Sequence, residues 1–292
     1  MKISGFTFIR NATIYGYPIV EAIKSVLPLC DEFVVAVGSS TDNTLDLING
    51  IGSDKIRIIH TVWDDNLRKG GRVLAVETDK ALAAISPDSD WAFYIQGDEV
   101  LHEKYLDVVR QAMHNNLDDK NIDGLLFKYL HFYGSYQYVG DSRRWYRREI
   151  RVIRTTGDVF SYCDAQGFRK KGNNKLTVKL IDAYIYHYGW VKSIEQQRVK
   201  FGYFYRFWNN DDGMKKVSEE AKTLSYEQHI DSLSEFTGTH PAVMKSYIEK
   251  ADLSFTFDTR QRRYSPRVWL LTYIEKLTGK RIGEYRNYKL VK

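Results

Sequence analysis

The chain has little cysteine: Cys30 and Cys163 are the only two in 292 residues. Two thiols build no disulfide framework, and their spacing fits no cysteine metal site, so neither crosslinks nor zinc organise the fold. Long apolar runs are missing too; none approaches the roughly 20 residues that a membrane-spanning helix needs. The opening MKISGFTFIR lacks the apolar stretch and small-residue cleavage site of a signal peptide. A cytoplasmic enzyme is the expectation, with the inner face of the membrane as its nearest variant. Repeats and low-complexity tracts are absent. No RNA-binding or helix-turn-helix signature occurs, so nucleic acid is not an expected partner.

What is present is aromatic. Phe, Trp and Tyr make up 14% of the chain, with 21 Tyr among them. Tyr joins a flat apolar face to a hydrogen-bonding tip, which suits a surface for sugars or nucleobases and equally a Tyr-rich core. Net charge is +6, an excess that can attract phosphorylated substrates or anionic lipid. The basic residues are scattered, with one denser stretch at Arg143, Arg144, Arg147, Arg148, Arg151 and Arg154.

Strand and helix patterns alternate through roughly the first 130 residues. Ile3–Ile9, Glu32–Val37, Lys55–His60, Trp91–Ile95 and Gly124–Leu130 are apolar runs of strand length. Helices are predicted over Ile14–Leu27, from a cap-rich start at Ser39–Thr44, over Val73–Ile85, and after Asp98-Glu99 towards Asn115. Strands apolar on both faces that alternate with helices imply an α/β fold, a mostly parallel sheet covered on both sides. Ligands of such sheets bind beyond the carboxyl ends of the strands. That places attention on Arg10-Asn11, Gly38–Asp42, the loop Thr61–Gly71 and Gln96–Glu99.

Beyond residue 131 the pattern changes. Tyr133–Tyr146 reads as a long functional loop whose Trp145 and Tyr146 can stack on a sugar or simply pack. Arg151–Arg154, Leu176–Ile181 and Ala183–His187 read as strands, then Val191–Trp208, Lys215–Phe236 and Pro241–Ala251 as helices. The division expected is a core over 1–190 and a helical extension over 191–292 packing on it. Arg267–Thr278 is amphipathic and basic; it can lie on an anionic membrane surface, though packing against the core is the expectation.

Asp98 and Glu99 follow an apolar strand directly. Adjacent carboxylates at a strand end suit a hard cation such as Mg²⁺ or Mn²⁺, which completes its shell with substrate phosphates and water. The same pair equally suits a helix start, with Asp98 as cap and Glu99 in the first turn. His187 ends a strand-like run and can add an imidazole to a Mn²⁺ site. Lys69 and Arg72, beside Gly70-Gly71, can face phosphates or only solvent.

Taken in order, strand–Arg10-Asn11–helix, strand–GSSTDNT–helix, a Gly-Gly loop and strand–QGDEV resemble the inverting family-2 glycosyltransferases of GT-A fold. The likeness covers roughly residues 1–190 and is closest to the branch reading DW-x-FY-x-Q-x-DEV, here Asp90 to Val100. It implies a nucleotide-diphosphate sugar donor, UDP-sugar favoured, a glycan or lipid-linked acceptor, and Mn²⁺ or Mg²⁺. Asp98 inherits the role of the second Asp of Asp-x-Asp, and His187, in an H-x-G-W setting, that of the late metal-site histidine. Phe8, Arg10, Asn11, Gly38, Ser39, Arg72 and Gln96 fall at nucleotide-binding positions. Gln96 replaces the motif's first Asp, and the base-contacting Asp is lost at Val37 or Gly38.

An inverting transferase needs a carboxylate to deprotonate the acceptor hydroxyl. Asp141, Glu149, Asp158 and Asp164 lie in the expected interval, and Asp164 is favoured because it follows a strand-like stretch and precedes Gly167. Two other readings stand beside the transferase. One is a catalytically silent nucleotide-sugar or glycan-binding protein. The other, a sugar nucleotidyltransferase, wants a Gly-rich basic loop where this chain has Ile9-Arg10-Asn11-Ala12-Thr13.

Overall fold

A computed structural model describes residues 1–291; Lys292, the last residue of the expected extension, lies outside them. The first half runs β1 (Ile3–Ile9), α1 (Ile19–Val26), β2 (Glu32–Gly38), α2 (Thr44–Asn49), β3 (Ile56–Thr61), α3 (Arg72–Ala83), β4 (Trp91–Tyr94), β5 (Glu99–Leu101), α4 (Leu106–Asn115) and β6 (Gly124–Tyr133). Then come β7 (Ser135–Gly140), β8 (Arg148–Arg154), β9 (Val159–Tyr162), β10 (Gly167–Lys170) and β11 (Asn174–Trp190). The remainder is α5 (Ile194–Phe204), α6 (Asp211–Thr223), β12 (Leu233–Glu235), α7 (Lys245–Glu249), α8 (Pro266–Thr278) and β13 (Tyr288–Val291).

The fold is α/β, and its sheet is mixed. Strands β3-β2-β1-β4 are parallel; β8 enters antiparallel between β4 and β6, and β6 then pairs parallel with β11. Alternation along β2 shows why both faces are covered. Phe33, Val35 and Val37 join the cluster under α1 and α4, whereas Val34 and Ala36 join the one under α3. Side chains two apart share a face, so an unbroken apolar run feeds two cores at once.

Several predicted elements change where tertiary pairing outweighs local pattern. The first helix begins at Ile19 because Gly16 (φ 61°) and Pro18 close a turn before it. Glu99 starts no helix: it lies in β5, opposite His187 of β11 in antiparallel register. Asp98 therefore caps nothing. The expected loop at 133–146 contains β7, folded back on β6 and bordered by β12. The two strands expected at 176–187 are one long β11, with a register shift between Leu180 and Tyr184. The helix expected over Lys215–Phe236 stops at Thr223, since Leu233–Glu235 takes edge hydrogen bonds from β7.

The dense arginine stretch is divided: Arg151 and Arg154 are buried, Arg143, Arg147 and Arg148 half-buried, and Arg144 exposed. Arg154 donates to the carbonyls of Ile122 and Asp119 and lies 4.3 Å from the Trp91 ring centre. Arg151 is fully buried with Glu99: Nε to Oε2 is 2.8 Å and Nη2 to Oε1 is 2.7 Å. Tyr129 donates a further hydrogen bond to Glu99 Oε1 at 2.7 Å, and Arg151 Nη1 reaches the Gln166 carbonyl at 3.1 Å. One ion pair thus ties β5, β6, β8 and the turn before β10. Arg151→Met should cost about 3–5 kcal/mol in urea unfolding, because Glu99 is left charged and buried. The double variant with Glu99→Gln should recover part of that loss; equal losses would show that the pairing carries no such weight.

Candidate functional site

A cleft of about 580 Å³ opens beyond the carboxyl ends of β1, β4 and β11 and is roofed by α5 and the turn after it. Of the expected site residues, Phe8, Arg10, Gln96, Asp98, Asp164 and His187 line it together. Asn11, Gly38, Ser39 and Arg72 do not. Asn11, at φ 55°, uses its side chain to accept from Thr41 N at 2.8 Å, holding the loop after β2. Arg72 is exposed at the start of α3. Gly38 backs the Trp63 indole, which comes so close that a Cβ there would lie 2.4 Å from Trp63 Nε1. Trp63 lines the cleft, and its buried Nε1–H has no partner among the described residues.

The centre of the site is Asp98. His187 Nε2 lies 3.8 Å and Lys200 Nζ 3.3 Å from its Oδ2. Burial alone would raise this carboxyl, but neighbouring positive charge, that of Lys200 first, holds it down to about 2. Glu99, the expected second carboxylate, points away and is fully engaged by Arg151. Among the described residues, no three His, Cys, Asp or Glu side chains converge on a metal position.

Two features nevertheless fit Asp98 and His187 to a divalent cation. His131 Nε2 donates to the Tyr146 carbonyl at 2.7 Å, because a carbonyl can only accept. Burial holds His131 well below the usual histidine range, so its Nδ1 keeps a lone pair and accepts from His187 Nδ1–H at 3.1 Å. This leaves the His187 Nε2 lone pair directed at Asp98, the tautomer that ligation requires. Gly189 supplies the second feature. A Cβ on it would stand 2.6 Å from His187 Nε2 and 2.7 Å from Asp98 Oδ2, so glycine keeps a cradle open between them.

Lys200 and Lys192 carried no motif and were not expected here. Lys200 Nζ also donates to the Gly189 carbonyl at 3.2 Å, beside the cradle. Lys192, buried, donates to the Tyr15 carbonyl at 2.6 Å, and burial holds it well below the usual lysine range. Only their place at the start of the roof, just after the H-x-G-W segment, signals them. The roof adds Tyr203 and Trp208; Tyr203 stacks on Tyr15 at 4.8 Å. Tyr146 lines the wall, whereas Trp145 is buried against His131 at 5.1 Å.

Asp164 occupies a tight turn between Cys163 and Ala165, whose φ values of 53° and 65° are unusual for non-glycine residues. Gln96 Nε2 donates to the Ala165 carbonyl at 3.0 Å, tying the Asp98 segment to the Asp164 turn. Burial raises the Asp164 carboxyl, which remains on the cleft wall. Of the other base candidates, Asp141 receives the Ser232 hydroxyl at 2.5 Å and pairs with Arg262. Asp158 accepts from Thr156 in a surface turn. Glu149 is buried, with Oε2 unpartnered, and burial pushes it up to about 8. None of these three lines the cleft.

No family model and no curated protein matches the chain. Among solved structures it is similar to glucosyl-3-phosphoglycerate synthase from Mycobacterium tuberculosis, in complex with Mn²⁺, UDP and phosphoglyceric acid. The identity is 23% over 44% of this chain and 43% of that one, with a TM-score of 0.30. It is also similar to S. aureus TarS 1–349, at 14% identity over 76% and 71% of the two chains and a TM-score of 0.39. The chain spans less than half the length of the mycobacterial enzyme.

Two outcomes follow from the electrostatics. Lys200→Met removes the ammonium competing for Asp98, so calorimetry without nucleotide should show Mn²⁺ binding more tightly than to the unaltered protein, by about tenfold. Unchanged affinity would separate Lys200 from the cation. Glu149 keeps its proton to about pH 8 in the fold, whereas the unfolded chain releases it near 4.5. Its contribution is therefore fully present below pH 4.5 and lost as pH rises towards 8. Glu149→Gln should flatten that decline in urea midpoint, on the order of a few kcal/mol.

Proposed function

We propose that this protein is a glycosyltransferase that moves a sugar, with inversion, from a nucleotide-diphosphate donor, UDP-sugar favoured, to a glycan or lipid-linked acceptor. The observation that carries this reading is the Asp98–His187 pair: its tautomer is set through His131, its cradle is kept open by Gly189, and Asp164 stands on the same cleft wall. The aromatic lining suits a base and sugars. Phe8 and Arg10 stand where the nucleotide would lie, and the Trp63 Nε1–H offers a donor where the family's base-contacting Asp is missing.

Asp98 Oδ2 and His187 Nε2 are the groups that would hold Mn²⁺ or Mg²⁺. Bound there with the donor's phosphates, such a cation supplies charge to stabilise the departing diphosphate. Lys200 adds a second positive charge on the same side and can exchange Asp98 for a phosphate oxygen. Asp164 takes the proton of the acceptor hydroxyl as its oxygen bonds to the anomeric carbon and the bond to the diphosphate oxygen breaks on the opposite face. A carboxyl raised by burial is a stronger base for that transfer.

Asp164→Asn should leave donor binding intact and lower transfer by about 10²–10⁴-fold, measured as sugar incorporation. Retained turnover would remove Asp164 from the reaction. Asp98→Ala should abolish the difference in nucleoside-diphosphate affinity, seen by calorimetry, between Mn²⁺ and a chelator; a persisting difference would sink the cation assignment. The presence of two lysines and one carboxylate at the centre also suits a silent nucleotide-sugar-binding protein. That reading predicts donor binding with no transfer by the unaltered chain.

A further inference from the structure

Helix α8 carries apolar side chains on both sides, with Val268, Leu271 and Ile274 half-buried on the inward one. Its inward side is held by an acid: Glu275 accepts from Arg143 at 2.5 Å and from Arg147 at 3.2 Å, and lies 3.5 Å from Arg281. Its outward side is apolar. Trp269, Leu270, Tyr273 and Leu277 are 59%, 52%, 51% and 69% exposed, and no residue of the helix is buried. Seating the half-buried side on the body thus leaves a second apolar side uncovered. At 100° per residue these four side chains form one stripe about 100° wide, and the Trp269 and Tyr273 rings stack within it, 5.8 Å apart and almost parallel at 3°. Scattered surface apolar residues need no explanation, but a contiguous stripe with an aromatic pair marks a covered face.

Charge identifies the cover. Residues 260–292 hold ten Lys and Arg against only Glu275 and Glu284, a surplus of eight in a chain whose total is +6, so the rest is slightly acidic. Arg267, Lys276 and Lys280 are exposed and, among the described residues, have no carboxylate at ion-pair distance. A second copy brought face to face would set these like charges against each other. An anionic lipid surface instead complements them, takes Trp and Tyr at its headgroup level, and accepts Leu below it. No helix among the described residues is long and apolar enough to cross a membrane, so α8 would lie in the interface plane.

We infer that α8 is the surface by which this protein docks on an anionic bilayer. The inference stands on that surface alone; only the idea that a lipid-linked acceptor waits in the bilayer rests on the proposed transfer reaction. Sedimentation of the full chain with vesicles tests it, using equal parts phosphatidylglycerol and phosphatidylcholine against pure phosphatidylcholine. The mixed vesicles should bind the protein, high salt should weaken the binding, and pure phosphatidylcholine should not compete. Combined Trp269→Ser, Tyr273→Ser and Leu277→Ser should reduce binding at least about tenfold, as should Lys276→Glu with Lys280→Glu. Unaltered melting temperatures would show that these exposed sites leave the fold intact. Equal binding by the triple variant, or no binding to the mixed vesicles, overturns the inference. So does a dimer in light scattering that the triple variant abolishes while vesicles stay unbound, which would assign the face to a second copy. Sedimentation uses neither donor nor acceptor, so its failure leaves the transfer reading standing, and loss of transfer leaves the docking result standing.

Discussion

Arg151 and Glu99 are buried together in the middle of the sheet, and the geometry of the cleft depends on that pair. Glu99 is the neighbour of Asp98, so anchoring Glu99 at the start of β5 also fixes the turn that presents Asp98 to the cleft. Arg151 also reaches the Gln166 carbonyl and so positions the turn that carries Asp164. A lone charge at either position would be severely penalised by burial, whereas the bidentate pair, with the Tyr129 hydroxyl, satisfies both groups. The junction between the parallel half of the sheet and the antiparallel insertion of β8 thereby becomes rigid where chemistry needs it. Polar contacts deep in the sheet, together with the Gln96–Ala165 hydrogen bond between two turns, connect the two acids of the cleft.

Around Asp98 the balance of charge is local. One carboxylate faces two lysines and a neutral imidazole, so without a ligand the site is already compensated by Lys200. A donor diphosphate would arrive with its own negative charge and give Lys200 a second partner. Under the proposed transfer reaction, cation and diphosphate would enter together, each lowering the cost of the other at a site with so few protein ligands. Gly189 matters for its missing methyl alone, since any side chain would occupy the space between Asp98 and His187.

The sequence carried much of this, unevenly. Strands β1, β2, β4 and β6 were legible because each is an apolar run fed into two cores. That Asp98, His187 and Asp164 line one cleft accords with their order along the chain, while the roles given to them remain proposals. The alternative of a helix start at Asp98-Glu99 stayed open in the sequence because an acidic pair after a strand looks the same before a helix as before a short strand. What distinguished them was His187 in register across from Glu99, a contact 88 residues away. Lys200 and Lys192 belong to no motif, and Trp63 became visible only once Gly38 was seen beneath it. The arginine stretch showed no role in the sequence, because the partners of Arg151, Arg143 and Arg147 are Glu99, Glu275 and Glu284, each distant in sequence.

By itself, then, the sequence determined the α/β class, the strands of the parallel half and the residues able to do chemistry, because periodicity and residue type are local properties. Only the tertiary structure decided which of those residues meet: which carboxylate of an adjacent pair faces the cleft, which histidine nitrogen keeps its lone pair, and which side of α8 is turned to solvent. Those outcomes rest on partners far along the chain, and burial makes each partner choice nearly all or none. A buried charge must find its counterion, whereas an exposed apolar stripe is left for whatever covers it.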